Sequence, residues 1–250
     1  MEKLAEQFSQ LFKGSERAHG LFEIKTNRSD GKKQGKAVTI KTSGPSIELW
    51  VKHLDGQYGL GVIPITDDNQ CYWGCIDVDV YPLDIKEIVE NINKQKLPLV
   101  VCRSKSGGAH IFLFVAEPVE AGDMQDKLRE VAAGLGFGGL EIFPKQRQVL
   151  ADRGDIGSWL NMPYFGGVDS MRYGFSSKGE ALSMDEFLVY AVSKQLSSGE
   201  ELFKIEVPTV VDDLEHGPPC LKILLKQGFP EGTRNNGLFN IAVYLQKAHP

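Results

Sequence analysis

An α/β chain of the α+β kind, with an antiparallel sheet carrying helices on one face, is the fold class this sequence predicts. Three observations lead there. Short apolar, β-branched runs recur between residues 37 and 144; two amphipathic helical stretches separate them; and Gly- or Pro-containing turns punctuate them without the regular strand–helix alternation of a parallel sheet. With 250 residues and 42% apolar residues the chain is long and apolar enough to bury a core, which excludes disorder as its main state.

In chain order, residues 2–13 carry an amphipathic helical pattern with neither a signal-peptide core nor a cleavage site. A polar Gly/Lys-rich loop follows. AVTIK (37–41), IELWVKHL (47–54) and YGLGVIPI (58–65) then read as short strands, or as strands with one helix. CYWGCIDVDVY (71–81) is an apolar strand interrupted by two acids, followed by an amphipathic helix over 83–95 that ends before Pro98. LPLVVCRS (97–104) and AHIFLFVA (109–116) are two strands joined by the turn Lys105-Ser106-Gly107-Gly108. A helix over 121–134 and the strand GLEIFP (139–144) complete the set. The order strand, helix, hairpin, helix, strand resembles the RRM-like, ferredoxin-related arrangement, whose second sheet face is open for chemistry.

Residues 148–167 are irregular and Gly-rich. A helix follows over 183–196, with Ser183 as its cap and Glu186 at the capping-box position. The expected organisation is a catalytic domain over 1–196, with an N-terminal α/β unit over about 1–70 and the RRM-like core over about 71–167. An acidic, Pro-containing linker over 197–219 leads to a helical piece over 220–250.

The composition limits the function classes. No apolar run is long enough to span a membrane, so a cytoplasmic protein is expected. Cys71, Cys75, Cys102 and Cys220 have neither disulfide nor zinc spacing, so reduced thiols and no structural zinc are expected. A net charge of −5 argues against a polyanionic partner, but five lysines and Arg28 face a single acid, Asp30, between Lys25 and Lys41. Lys32, Lys33 and Lys36 in that stretch are candidate nucleic-acid contacts, and a solvated loop is the plainer account of them.

The chemistry rests on three motifs. In Cys75-Ile76-Asp77-Val78-Asp79-Val80, strand alternation puts Asp77 and Asp79 on one face, where like charges repel unless a cation lies between them. Hard carboxylate oxygens suit Mg²⁺ or Mn²⁺. Alone, the pair also fits an exposed edge strand. In Arg103-Ser104-Lys105-Ser106-Gly107-Gly108-Ala109-His110, Gly107 and Gly108 allow backbone N–H groups to face an anion, while Arg103, Lys105, Ser106 and His110 add side-chain donors; a triphosphate is the natural occupant, and an ordinary hairpin turn is the plain alternative. Glu141, in an apolar strand, supplies a third carboxylate, enough for two metal ions, and Lys145 and Arg147 after it are candidate contacts to phosphates of nucleotide or template; an ion pair between Glu141 and Lys145 is the alternative.

Together CIDVDV, KSGGAH and LEIFPKQ resemble, in order and spacing, the three motifs of the archaeo-eukaryotic primase superfamily, especially its phage and mobile-element primase-polymerases. The resemblance covers residues 37–167. It implies metal ligation by Asp77, Asp79 and Glu141, and nucleotide contacts from Ser106 and His110. A looser likeness of GSWLNMP (157–163) adds Asn161. The implied activity is metal-dependent primase or DNA polymerase chemistry, with nucleoside triphosphates, a single-stranded DNA template and a primer as partners. The likeness of residues 217–250 to the start of a primase C-terminal segment implies a longer protein continuing into a zinc-binding or helicase part.

Two rivals differ in residue demand. A relaxase-type nuclease wants a His-x-His pair, which His19, His53, His110, His216 and His249 do not form. A non-catalytic RRM-type binding module wants exposed aromatics on the sheet where this chain has acids.

Overall fold

The structure is a computed structural model that describes residues 1–27, 33–207, 217–230 and 232–248. Its centre is an antiparallel sheet of β4 (Gln70–Val78), β5 (Leu99–Arg103), β6 (Ala109–Glu120) and β7 (Glu141–Phe143), in the spatial order β5-β6-β4-β7. Helix α3 (Ile85–Lys94) joins β4 to β5, and α4 (Ala121–Gly134) joins β6 to β7. Numbered within the unit, the strand order is 2-3-1-4, as in the RRM-like arrangement.

Period-two alternation divides this sheet cleanly. Ile76, Val78, Ile111 and Leu113 face the helices and pack on Ile88, Val89 and Ile92 of α3 and on Met124, Leu128 and Val131 of α4. Asp84 caps α3, accepting hydrogen bonds from the backbone N–H groups of Lys86 and Glu87.

The opposite face was expected to be open, and for most of its length it is not. Trp73, Cys75, Phe112 and Phe114 are covered by Phe8 of α1 (Glu2–Leu11) and Phe12 at its C-cap, Trp50 of α2 (Ile47–Leu54) and Phe187 of α5 (Met184–Lys194). The aromatic residues that could have served an RRM-type stacking platform are therefore core. Phe12 meets Phe112, Phe114 and Trp73 edge-on, with ring centroids 5.3, 5.4 and 5.6 Å away.

IELWVKHL is helix rather than strand. The Ser46 side chain accepts from the Leu49 N–H, and Trp50, His53 and Leu54 fall at helical spacing on the buried side. Strands β1 (His19–Asn27), β2 (Lys33–Ile40), β3 (Gly59–Val62) and β8 (Leu160–Asn161) form a second antiparallel sheet, in the order β2-β1-β3-β8. Its last strand comes from the Gly-rich segment: Gly61 pairs with Asn161 and Val62 with Leu160. The N-terminal strands thus need a piece of chain from beyond residue 150 to complete their sheet.

At α5 the capping box forms as its sequence indicates, between the Ser183 and Glu186 side chains and the opposing backbone N–H groups. The first part of the expected linker is not linker. Helix α6 (Gly199–Phe203) sends Leu202 into the layer beneath α3 and α4, and Ile205 is buried with it. Helices α7 (Pro219–Gln227) and α8 (Arg234–Ala248) follow, with α7 against α4. Among the described residues no helix is long and apolar enough to cross a membrane.

Phe12, 1% exposed, is where α1, α2, α5 and the central sheet meet. Phe12→Ala is expected to lower the unfolding free energy by about 3–5 kcal/mol. A denaturant titration with unchanged m-value checks it; a loss below about 1 kcal/mol would show that α1 is only loosely docked.

Candidate active site

Asp77 is the point where β4 runs out of cover. Its register partners are His110 on β6 and Glu141 on β7, so the three side chains emerge on the face that carries Trp73, Cys75, Phe112 and Phe114 further back. Asp77 is mostly buried, whereas Asp79, one residue past the strand, is exposed. Burial, followed by the charges of Asp79 and Glu141, pushes the Asp77 carboxyl up to about 6, against a smaller lowering by Lys145. His110 is 6% exposed and pushed down to about 4 by burial and by the Arg172 charge, so its imidazole is neutral. The 3.5 Å contact between His110 Nε2 and Asp77 Oδ1 is therefore not a charge pair.

The turn between β5 and β6 closes on the same end of β4. The Ser104 N–H bonds the Gly108 carbonyl at 2.9 Å, and Gly107 has φ +94°, which favours glycine. A Cβ on Gly108 would lie 2.1 Å from the Val78 carbonyl oxygen, so only glycine lets the turn approach this closely. The approach lets the Ser106 hydroxyl donate to Asp79 Oδ1 at 3.0 Å, an oxygen that also accepts from the Tyr81 hydroxyl at 3.1 Å. The Lys105 Nζ lies 3.4 Å from the centroid of the Phe22 ring, joining the turn to the second sheet.

Glu141 is drawn to Lys145, whose Nζ donates to Glu141 Oε1 at 2.5 Å. As the side chains stand, no three His, Cys, Asp or Glu among the described residues enclose a metal ion. The donor set nevertheless fits a hard divalent cation. Asp77, Asp79 and Glu141 gather at one end of the sheet, where burial first, and then the charges of the other two acids, raise Asp77. Glu141 is the direct cross-strand partner of Asp77, so its carboxylate can reach toward Asp77 by turning away from Lys145.

All three acids line a cleft of about 870 Å³, large enough for a nucleotide, together with Ser104, Lys105, Ser106, His110, Lys145 and Asn161. Other expected site residues lie elsewhere. Arg103 and Arg147 are outside the cleft lining, and Arg147 forms a two-pronged pair with Asp126 of α4, at 2.6 and 3.0 Å. Of the basic stretch, Lys36 is exposed on β2; Lys32 and the side chain of Lys33 lie outside the described residues.

The cleft also contains residues that sequence reasoning passed over: Trp159, Phe165, Asp169, Met171 and Arg172. Trp159 lies against Gly20 and Gly61, where an added Cβ would fall 2.2 Å from the ring. Arg172 is 7% exposed, sits 5.1 Å over the Phe165 ring, and is lowered to about 10 by burial, so it stays cationic at neutral pH. The only signal for either in the sequence was membership of the Gly-rich stretch and its continuation.

A sequence profile of the archaeo-eukaryotic primase domain of TOTE conflict systems matches residues 23–172. Three solved structures resemble the chain at low identity. The archaeo-eukaryotic primase domain of the cyanophage S-2L primase-polymerase is 13% identical, with 76% of this chain and 97% of that chain covered and a TM-score of 0.40. The catalytic domain of primase RepB′ in complex with initiator DNA is 13% identical over 77% and 94%, with a TM-score of 0.34. A second structure of primase RepB′ is 12% identical over 77% and 62%, with a TM-score of 0.35. No curated protein matches the chain.

The raised Asp77 value fixes a pH signature. Folded Asp77 holds its proton more tightly than an unfolded aspartate at 3.8, so it costs stability as pH rises from about 4 through about 6, by up to about 3 kcal/mol for two units. His110 and His53, both lowered to about 4, act in the opposite sense: the stability they contribute is present above their unfolded 6.5 and is lost as pH falls through about 4. The difference between wild type and Asp77→Asn isolates the aspartate. In chelator, the variant is expected to melt higher than wild type at pH 7.5 and equally at about pH 4. A gap that does not change between these pH values would remove the assignment.

Proposed function

The chain belongs to the archaeo-eukaryotic primase domain family of TOTE conflict systems, and on that premise we propose that it catalyses metal-dependent, template-directed nucleotidyl transfer from nucleoside triphosphates, as a DNA primase or polymerase. The observation that carries this reading is the direct pairing of Asp77 with Glu141 across β4 and β7, with Asp79 beside them, at the floor of a cleft whose remaining polar wall is mostly cationic or hydrogen-bond-donating.

In this reading Asp77, Asp79 and Glu141 hold two Mg²⁺ or Mn²⁺ ions, which supply Lewis-acid stabilisation of charge at the reacting phosphate. The chain's own groups do the rest. Lys105 and Lys145 stand on the cleft wall to neutralise the triphosphate, and Lys145 becomes available as Glu141 turns inward. Ser106, already bonded to Asp79, ties the phosphate-binding turn to the carboxylates, so that nucleotide and acids are positioned together. Neutral His110 can donate to a phosphate oxygen without adding charge beside Asp77. The 3′-hydroxyl of a primer, or of a first nucleotide, attacks the α-phosphate in line and pyrophosphate departs. A single-stranded template and primer approach the open mouth of the cleft, and Lys36, exposed on β2, is a candidate contact to their backbone.

The test is a template-directed extension assay with ribo- and deoxyribonucleotides, with and without primer, in Mg²⁺ or Mn²⁺. Asp77→Asn and Asp79→Asn are each expected to lower extension by at least about a hundredfold while remaining folded, since loss of a metal-held phosphate is worth several kcal/mol. Extension retained by Asp77→Asn would remove the nucleotidyl-transfer reading. Gly108→Ala is expected to lower it comparably, because the added methyl pushes the turn off the Val78 carbonyl.

A further inference from the structure

The lining of the same cleft includes two polar groups that the fold leaves incompletely partnered. The Asn161 Oδ1 is buried and has no hydrogen-bond partner among the described residues. One residue further on, the Met162 carbonyl accepts a long 3.5 Å bond from Arg172 Nη1, which is the one hydrogen bond of that guanidinium among the described residues. A guanidinium has five N–H donors, and this one is 7% exposed and forms no ion pair with a carboxylate among the described residues. Burying an unpaired amide oxygen and an under-used cation on the lining of one cleft is costly, and such groups persist where a ligand completes them.

Both residues are held firmly. Asn161 lies on β8 in register with Gly61, and Arg172 is stacked on Phe165. The terminal torsion of an asparagine is broad, so a turn of the amide presents it to the cleft that Asn161, Phe165 and Arg172 all line. The missing partner must accept from a guanidinium and donate to an amide oxygen. A hydroxyl does both, and because it also accepts, it suits either orientation of the amide. A phosphate would suit Arg172 but leave the amide oxygen unpaired.

We propose that Asn161 and Arg172 form a subsite for a sugar hydroxyl of the bound nucleotide, and so determine which nucleotide class the cleft prefers. The proposal rests on the nucleotidyl-transfer reading and deepens it. Asn161 is then a specificity residue that accepts the hydroxyl proton, and Arg172 donates to the hydroxyl oxygen. The carboxylates and the turn over 104–108 are left to the triphosphate.

The experiment is calorimetric titration of the wild-type chain, in Mn²⁺, with ATP, 2′-deoxy-ATP, 3′-deoxy-ATP and inorganic triphosphate. One of the two deoxy forms is expected to bind about tenfold more weakly than ATP, the value of one hydrogen bond, and its identity names the hydroxyl read. Asn161→Ala is expected to abolish that ratio, to leave inorganic triphosphate binding unchanged, and to melt no lower than wild type, since it removes an unpaired group. Arg172→Gln is expected to weaken ATP more than inorganic triphosphate. Equal affinity of the wild type for all three nucleotides overturns the subsite while leaving the parent reading intact. So does an Asn161→Ala variant that loses inorganic triphosphate and ATP alike. Failure of every nucleotide to bind sinks both readings together.

Discussion

Strand β4 is apolar on both faces until its last residues, and that constraint organises the molecule. Ile76 and Val78 face the α3/α4 layer, and Trp73 and Cys75 face the aromatic layer beneath α1, α2 and α5. A slip of one residue would drive Asp77 among the isoleucines of the helical layer and expose a valine in its place. The cost of burying that carboxylate without a partner makes the register very hard to shift. The same register sets Asp77 opposite Glu141 on one side and His110 on the other. The packing that stabilises the sheet is thus also what gathers the acids.

The second wall of the cleft comes from a different part of the chain and is joined by close approaches rather than by continuous strands. Lys105 reaches from the turn to Phe22 on β1, and Trp159 lies on the two glycines that β1 and β3 present to it, with its Nε1 donating to the Thr39 hydroxyl at 3.2 Å. Because β8 pairs with β3, the segment that carries Trp159 and Asn161 is fixed to the N-terminal sheet, while Gln146 anchors its start by accepting from the Ser158 N–H at 2.9 Å. The cleft is formed where these two sheets meet.

What could be read from the sequence follows from the range of the interactions that encode it. The helix over 121–134, the capping box at Ser183 and the acid-bearing strand are local signals of periodicity and capping, and the structure has them where those signals fall. The three motifs carried their chemistry in short, ordered strings, and their acids, Lys105, Ser106, His110 and Lys145 do share one cleft. Arg147 misled because a cation two residues from a site lysine looks the same whether it faces substrate or, as here, Asp126 on the helix behind. The cover over the aromatic face was illegible for a different reason. It depends on α1 and α5, separated by more than 170 residues, closing on Phe12 and Phe187 together, and no local pattern announces such a contact. Arg172 and Trp159 were missed likewise: their meaning lies in what they pack against, Phe165 and two distant glycines.

The net charge of −5, which weighs against a polyanionic partner when summed over the chain, loses its force at the site. The cleft sets Asp77, Asp79, Asp169 and Glu141 against Lys105, Lys145 and Arg172, so the bare balance is close to even. Divalent ions on the carboxylates, as proposed, turn that balance positive, and a bound ion outweighs any single side chain in setting the local field. In the proposed reading the same ions would compete with Lys145 for Glu141, so that loading the acids would free a lysine on the cleft wall for a phosphate. An acidic protein can in this way present a cationic cleft to a polyanion, with the change of sign built into the pairing of one glutamate with one lysine four residues on.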